Sequence, residues 1–289
     1  MSVIRPARSI AIGVDLGATR LRLLALQQGR VVGRISTAAP PSPDLVKFLH
    51  GVWKARGWRR REVGALVVAS RGIWTARERR TLAGRFARLA TRVEVLSDAQ
   101  AALLGALGDR PGVLILSGTG SIVIGRDAGG RWARAGGLGP LLGDEGSAFW
   151  IGRAWLRATT QGEDFLPIRR LVTRKDAVAR IAGLAPSILA RARRGDPRAR
   201  AIVGEAQSHL ASLARDVVRQ LGLPPPIAVS WAGGVLDSPR FREGLKRAVA
   251  KSGLGVRWRA PAAAPVAAAV ALAQRAQGTL PRAPGRRVL

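Results

Sequence analysis

The amino-acid sequence predicts an α/β protein built from two related halves, each with its own mixed sheet. A run of three hairpin-linked strands followed by alternating helices and strands occurs twice along the chain. A glycine-containing turn follows the first strand of each run. This order indicates a sheet of mixed direction with helices on both faces. We expect the two halves to face each other across a cleft, with the matched turns pointing into it.

The first half is expected to span residues 1–108, in the order β-β-β-α-β-α-β-α. Apolar residues at helical spacing, such as Leu45 and Leu49, indicate its first helix. The predicted elements are strands at 8–15, 19–26 and 31–36, a helix at 43–55, a strand at 63–69, a helix at 75–89, a strand at 93–96 and a helix at 98–107.

The second half is expected to span residues 109–277 and to repeat this order with a helical insertion at about 144–221. A good hairpin turn, Asp127-Ala128-Gly129-Gly130, separates its second and third strands. The last helix could pack back on the first half, and residues 278–289 read as a flexible tail. The predicted elements are strands at 112–116, 121–125, 131–134, 227–231 and 255–259, with helices at 238–250 and 265–276 after the insertion.

Composition excludes several classes of protein. Of the 289 residues, 47% are apolar, which is enough for two cores. No apolar run approaches the ~18 residues of a membrane span, and the N-terminus lacks the features of a secretory signal. We therefore expect a cytoplasmic protein without a membrane partner. Cysteine is absent, which excludes disulfides and cysteine-held iron–sulfur clusters.

The net charge of +30 comes mostly from arginine, since only five basic residues are lysine. Nucleic-acid binders usually cluster their charge and interleave aromatic residues for stacking. Here arginine is spread over most predicted helices, and tyrosine is absent. We interpret the charge as solvated helix faces and expect no specific nucleic-acid partner, although a nonspecific attraction to polyanions follows.

The first glycine turn can bind phosphate. It offers backbone N–H groups and a threonine hydroxyl directly after a strand. Asp15, at the end of that strand, could orient Mg²⁺ through water. An ordinary hairpin would explain the same turn. The residues we assign to it are Gly13, Asp15, Gly17, Ala18, Thr19 and Arg20.

The second turn occupies the equivalent place in the other half. It lies in one of two stretches, 111–125 and 135–152, that contain no basic residue, which suits close approach of backbone to a ligand. Together the two turns would clamp the β- and γ-phosphates of ATP. A third loop follows the strand at 227–231, where small residues would let adenosine lie against the backbone, although plain strand-to-helix packing would explain it too. The residues assigned to these loops are Ser117, Gly118, Thr119, Gly120, Ala232, Gly233 and Gly234.

Asp98 is the candidate general base. It follows a predicted strand and begins an alanine-rich helix, so it could accept the proton of an attacking hydroxyl in the cleft. A local explanation is equally available, because an aspartate N-cap stabilises a helix by about 1 kcal/mol.

A flexible glycine run precedes Asp144, which we expect to accept sugar hydroxyls. The alternative places the acids of this segment in the first turn of a helix, where the helix dipole favours them. The substrate residues assigned are Asp98, Gly137, Leu138, Gly139, Asp144 and Glu145.

These motifs resemble the superfamily that joins sugar and acetate kinases, actin and the heat-shock chaperone ATPases. Within it they are similar to the N-acetylglucosamine kinases and the BadF/BadG/BcrA/BcrD-type ATPases, over about residues 10–276. The resemblance rests on Asp15–Thr19, Leu116–Ser121, Ala232–Gly234 and, most specifically, Gly137–Ser147, a segment similar to the sugar site of the kinases. It implies a duplicated ribonuclease H-like, actin-like ATPase fold, with Asp98 at the position of the catalytic base.

The resemblance also implies MgATP, domain closure on binding and often a homodimer. The expected activity is transfer of the γ-phosphate to an amino sugar, N-acetylglucosamine or glucosamine. Where those kinases often carry an asparagine after the third strand, this chain has Thr37–Pro41. The alternatives are an ATPase that drives a partner, whose relatives use interface cysteines that this chain lacks, and a regulator that binds ATP or sugar without turnover.

Overall fold

The computed structural model describes residues 9–17, 20–40, 44–161 and 164–278, which divide into two units. Unit 1 consists of the chain up to Asp109 together with the segment from Ala262 onward, and unit 2 runs from Arg110 to Pro261. The segment from Ala262, which contains the last helix, thus belongs to unit 1.

Unit 1 is built on a five-stranded mixed sheet. Its elements are β1 (Ile10–Leu16), β2 (Arg20–Gln27), β3 (Arg30–Ala38), α1 (Leu45–Arg56), β4 (Val63–Ser70), α2 (Ala76–Arg85), β5 (Arg92–Ser97) and α3 (Asp98–Leu107). The strand order is β3-β2-β1-β4-β5. The hairpin strands β1, β2 and β3 are antiparallel, while β4 and β5 run parallel to β1.

Unit 2 repeats this plan with five helices in place of one. Its elements are β6 (Gly112–Ser117), β7 (Ser121–Arg126), β8 (Trp132–Gly136), α4 (Ala148–Thr159), α5 (Phe165–Val172), α6 (Ala177–Ala182), α7 (Ala185–Arg194), α8 (Pro197–Leu221), β9 (Ile227–Ala232), α9 (Pro239–Lys251) and β10 (Val256–Trp258). Its strand order, β10-β9-β6-β7-β8, has the same pattern of directions. The predicted duplication of a mixed sheet is therefore confirmed.

The last helix, α10 (Pro265–Ala276), packs on β1, β4 and α3 within unit 1. Small side chains form this contact: Ala11, Ala65 and Ala69 on the sheet pack against Ala269 and Ala273 on α10. Small residues on both sides let a helix approach a sheet closely. The opposite face of the same strands carries larger residues, which pack against α1 and form the main core of the unit.

Gly13 lies in the middle of β1 at this contact. A Cβ atom there would overlap the backbone of Val270 and come within 2.9 Å of the Val266 carbonyl oxygen. The absent side chain of Gly13 therefore admits α10, and Gly13 lies in the interior of β1, as the predicted strand at 8–15 implies. Its assignment to ATP binding stays a prediction.

Two predicted helix boundaries are also wrong. Helix α2 ends at Arg85, because Phe86 and the residues after it form turns instead of continuing to Leu89. The first helix of the insertion begins at Ala148 with Ser147 as its N-cap, so Asp144 and Glu145 precede the helix. No helix among the described residues is long and apolar enough to cross a membrane.

Candidate active site

Two carboxylates meet at one edge of the sheet in unit 1. Asp15 lies near the end of β1, opposite Ala69 of β4, and Asp98 directly follows β5. These three strands are parallel, so their carboxyl ends lie along the same edge, where α/β folds bind ligands. Burial raises the pKa of Asp15, and the negative charge of Asp98 adds a smaller upward contribution.

Asp15 is almost completely buried, with 4% of its surface exposed. Burial raises its pKa above the ordinary value. Arg22, directly opposite on β2, opposes this shift and lies with Nη1 3.3 Å from the Asp15 Oδ2. The pair holds a buried negative charge at the sheet edge, next to a partly exposed arginine.

Asp98 is not the N-cap of α3. Strand β5 continues to Ser97, whose hydroxyl accepts the Gln100 N–H at 3.1 Å, while the Gln100 Oε1 accepts the Ser97 N–H at 3.0 Å. This reciprocal capping box satisfies two backbone donors of the helix end without Asp98. The local explanation considered from sequence is therefore wrong, because the strand ends one residue later than predicted, at Ser97, and Ser97 is the N-cap.

The Asp98 carboxylate occupies the first position of α3 and is half-buried. Burial raises its pKa, although the Ala99 N–H, which donates to Oδ1 at 2.8 Å, and the charge of Arg71 oppose the shift. A carboxylate with a raised pKa is a better proton acceptor than an ordinary aspartate.

The rest of the first phosphate turn is described only in part. The Gly17 N–H donates to the Arg20 carbonyl at 3.0 Å, which closes the turn. The side chain of Arg20 is exposed and donates to the Ser36 Oγ at 3.4 Å, so it lies along β3. Ala18 and Thr19 lie outside the described residues.

In unit 2 the second phosphate turn and the adenosine loop are in contact. The Val235 N–H donates to the Ser117 carbonyl at 3.1 Å. Gly233 has φ +102°, and a Cβ atom there would overlap that same carbonyl group, so only glycine fits. Ala232 pairs with Leu116 at the ends of β9 and β6, which brings the two loops to one edge of the sheet.

The segment before α4 is hydrogen-bonded to the turn at 117–121. The Ser117 hydroxyl donates to the Gly146 carbonyl at 2.8 Å, and the Ser121 hydroxyl donates to the Glu145 carbonyl at 2.7 Å. In the other direction, the Ala148 N–H donates to the Gly118 carbonyl at 2.8 Å. The turn and the predicted sugar segment therefore form one hydrogen-bonded body within unit 2.

Asp144 belongs to this body. It is 7% exposed, has φ +61°, and accepts the Ser121 N–H on Oδ1 at 3.2 Å. Its carboxylate lies against Gly120, where a Cβ atom would come within 2.8 Å of Oδ2. Burial raises its pKa. The side chain thus holds the turn at 117–121 in place.

The predicted glycine run leads into this segment by turns of positive φ. Gly137 and Gly139 have φ +71° and +81°, and the Gly143 N–H closes a turn on the Gly139 carbonyl at 2.9 Å. Leu138, between the two glycines, is 64% exposed. Glu145 is half-buried and contributes its carbonyl to the network.

Two residues at these sites were missed from sequence: Arg22 acts on Asp15, and Arg71 acts on Asp98. Ser121, which belongs to the predicted second turn, binds both Asp144 and the Glu145 carbonyl. The hairpin register places Arg22 opposite Asp15, and Arg71 directly follows the carboxyl end of β4. Both arginines were hidden by the abundance of arginine elsewhere.

The chain resembles known sugar kinases. The N-acetylmuramic acid/N-acetylglucosamine kinase of Clostridium acetobutylicum is 31% identical over 172 residues, which are 52% of this chain and 56% of that protein. The N-acetyl-D-glucosamine kinase of Dictyostelium discoideum is 31% identical over 141 residues, 41% of this chain and 44% of that protein. The matches thus span about half the length of these curated relatives.

Among solved structures, a candidate N-acetylglucosamine kinase from Chromobacterium violaceum has a TM-score of 0.67 at 23% identity, over 93% of this chain and 100% of that one. This likeness concerns the fold, and it confirms the predicted architecture of two mixed-sheet α/β domains. The sequence profile of the BadF/BadG/BcrA/BcrD ATPase family matches residues 12–273. That match covers nearly the whole chain, which therefore belongs to the BadF/BadG/BcrA/BcrD ATPase family.

Proposed function

We propose that this protein is an ATP-dependent kinase that transfers the γ-phosphate of ATP to a hydroxyl of an amino sugar, with N-acetylglucosamine and glucosamine as the first candidates. The observation that carries the proposal is the position of Asp98: it is a half-buried carboxylate at the carboxyl edge of the sheet, and Ser97 takes the N-cap position of α3 in its place. The names of the two curated relatives support the amino-sugar substrate.

In the proposed reaction, the sugar hydroxyl attacks the γ-phosphorus of ATP while Asp98 accepts the hydroxyl proton. A new P–O bond forms to the sugar, the bond between the γ-phosphorus and the β–γ bridging oxygen breaks, and ADP leaves. Asp98 then returns its proton to solvent. The raised pKa of Asp98 favours this role, because a stronger base accepts the proton more readily.

Unit 2 contributes the phosphate contacts. The Gly118 N–H closes the hairpin by donating to the Gly120 carbonyl at 2.9 Å, and Ser117 is buried with its hydroxyl bonded to Gly146. Thr119, at the tip of the turn, is exposed. We therefore assign phosphate binding chiefly to Thr119 and Gly120. Ser117 and Gly118 stabilise the conformation of the turn through their hydrogen bonds.

Magnesium fits the residues of unit 1. Among the described residues no cluster of three or more potential metal ligands occurs. Mg²⁺ is commonly held by one or two carboxylates together with substrate phosphates and water, rather than by an all-protein cage. The buried Asp15 supplies that kind of donor and would hold Mg²⁺ through water. A Mg²⁺ held there would neutralise charge on the transferred phosphate.

A homodimer is the proposed assembly. On α5, Phe165, Leu166 and Val172 are 63%, 57% and 52% exposed, and exposed apolar groups of this kind often mark protein contacts. Light scattering after size exclusion would measure the mass of the protein in solution. A mass of one chain at micromolar concentration would contradict the proposed dimer.

The test of the proposed function is ADP release with MgATP across a panel of amino sugars and hexoses. We expect one or more amino sugars to stimulate release, and Asp98→Asn to abolish the stimulation while ATP binding persists. Asp44→Asn is the matched control, because Asp44 is exposed and its side chain makes no capping bond to α1.

Other outcomes identify the alternatives. Release of ADP that no sugar stimulates would point to an ATPase that drives a partner. Binding of ATP or sugar without ADP release would point to a regulator. Undiminished sugar phosphorylation by Asp98→Asn would show that Asp98 is not the general base.

A further inference from the structure

A cavity of about 500 Å³ lies between α8 and α9 of unit 2, away from the phosphate turn. Three basic side chains line it: Arg215 from α8, with Arg247 and Lys251 from α9. A second cavity of about 250 Å³ adjoins it and shares Gln207 and Arg247. We call the two together the α8–α9 groove.

The second cavity adds Arg193, Arg200 and Arg240, and neither cavity is lined by an aspartate or glutamate. All six basic residues are exposed. The groove therefore gathers positive charge that the residues of its own wall do not offset.

The acidic residues of the two helices lie beside the groove and have partners elsewhere. Glu205 lies 3.5 Å from His209, and Asp216 bonds Arg219 at 3.2 Å. The pKa of Glu243 is lowered first by its hydrogen bond from Lys246 and only secondarily by Arg247. The mutual repulsion of the groove cations is therefore relieved chiefly by solvent and salt.

We propose that the α8–α9 groove binds an oligophosphate, a linear anion of two or more linked phosphate groups. Arginine forks bind phosphate oxygens in pairs, which makes them suited to such a ligand. Three serines line the same cavity, of which Ser208 and Ser252 donate their hydroxyls to the Gly204 and Val249 carbonyls. The hydroxyl of Ser212 is left to supply a neutral donor. Its volume falls in the range of small-molecule sites.

The shape of the groove favours a phosphate chain over a nucleic acid. The floor at Gly204 is open, since a Cβ atom there would meet nothing within 4 Å. Phe241, the aromatic residue of the lining, is 2% exposed and offers no ring face for a base. Single-stranded nucleic acids are usually held by stacking on exposed aromatic rings. The groove can therefore bind linked phosphates, whether free or carried by a nucleotide, but it has no surface on which a base could stack.

The basic residues extend along α8 from Arg200 to Arg215. Fifteen residues at the helical rise of 1.5 Å correspond to about 22 Å. Inorganic tripolyphosphate would occupy one cavity, and a longer polyphosphate would reach along both. Affinity should therefore rise with chain length.

The experiment is titration of the full chain with inorganic tripolyphosphate, followed by calorimetry and by thermal unfolding. No nucleotide is added, because its phosphates would also enter the groove, and binding at the phosphate turns is identified as the part of the binding that the groove variant retains. We expect tripolyphosphate to raise Tm, because it binds the folded state. In the triple variant Arg215→Ser, Arg247→Ser, Lys251→Ser the affinity should fall at least tenfold.

The matched control removes the same charge from unit 1. Arg77, Arg80 and Arg88 are exposed, and the control changes all three to Ser. It should bind tripolyphosphate like the unaltered protein. Equal losses in both triple variants would show general attraction to a basic surface and would overturn the site, as would the absence of binding to the unaltered protein.

A second arm separates the sources of phosphate. For a nucleoside triphosphate, the binding that is lost in the groove variant should be no tighter than the corresponding binding of tripolyphosphate. A single-stranded oligonucleotide that binds more tightly than polyphosphate of equal charge, and loses that binding in the groove variant, would replace the oligophosphate with a nucleic acid. The outcome is independent of kinase activity, because no arm measures turnover.

Discussion

The backbone N–H of Ser121 donates to the Oδ1 of Asp144 at 3.2 Å. This bond joins the end of the phosphate turn to the segment that resembles a sugar site. With the carbonyls of Glu145 and Gly146 accepting hydroxyls from the same turn, the two parts of unit 2 cannot move independently without breaking hydrogen bonds. Residues in this segment should therefore affect ATP as well as sugar.

Variants of Asp144 should separate these two effects. Asp144→Asn keeps an oxygen acceptor for the Ser121 N–H, whereas Asp144→Gly removes it without strain at φ +61°. A hydrogen bond to a charged group contributes about 1.5–3 kcal/mol. We expect Asp144→Gly to raise the KM for ATP by about tenfold or more, and Asp144→Asn to change it little.

Steady-state kinetics with each substrate varied would check this prediction. If Asp144 also binds sugar, both variants should raise the KM for sugar. An unchanged KM for ATP in Asp144→Gly would show that the bond does not position the phosphate turn.

Replacing Ser97 should test the separation of capping from catalysis. Ser97→Ala removes the capping hydroxyl of α3 and should cost about 1 kcal/mol of unfolding free energy. Turnover should fall much less than in Asp98→Asn, because the carboxylate remains. Denaturant unfolding and kcat would be measured on the same preparations.

Thr75→Ala is the control for Ser97→Ala, since Thr75 caps α2 in an equivalent capping box. It should lower stability by a similar amount and leave turnover unchanged. A loss of turnover in Ser97→Ala as large as that in Asp98→Asn would mean that the two residues act as one.

The acid limb of the pH–rate profile should report Asp98. Burial raises its pKa, and only the ionised form can accept a proton, so activity should fall at a higher pH than for an ordinary aspartate. Arg71 opposes this shift. In Arg71→Gln the acid limb of kcat/KM should therefore move to still higher pH. A limb that stays in place would show that Arg71 does not lower the pKa of Asp98.

The same shift predicts a stability effect of Asp98→Asn. A carboxyl whose pKa is higher in the folded state than in the unfolded state destabilises the fold when it is ionised. At pH values above the folded-state pKa of Asp98, the Asp98→Asn variant should therefore have a higher Tm than the unaltered protein. The gain should vanish as pH falls below the unfolded-state pKa, where Asp98 is protonated in both states. Calorimetry at two pH values would measure this difference.

Gly13→Ala should destabilise unit 1, because a Cβ atom on Gly13 would overlap the backbone of α10. Overpacking of this kind costs about 1–3 kcal/mol. Gly51→Ala is the control: Gly51 is exposed in α1 with open space around it, and alanine there should stabilise the helix by up to about 1 kcal/mol. Equal stability of the two variants in urea would contradict the packing role of Gly13.

Sequence alone was sufficient for the duplicated architecture. Hydrophobic periodicity and turn residues are local properties, so the strands of both halves and α10 were located to within a few residues. Glycine turns without basic residues, such as Ser117–Ser121, are also local features, and the prediction of the phosphate site depends on them. The family resemblance and the position of Asp98 after a strand also depend only on the order of residues.

Tertiary structure decided what each of these residues does. Whether Ser97 or Asp98 caps α3 depends on where β5 ends, and the capping hydrogen bonds settle it in favour of Ser97. Gly13 and Asp144 acquired their roles from contacts with residues far along the chain, Val270 and Ser121. Periodicity contains no information about such contacts, because they depend on how elements pack and not on the spacing of neighbours in sequence.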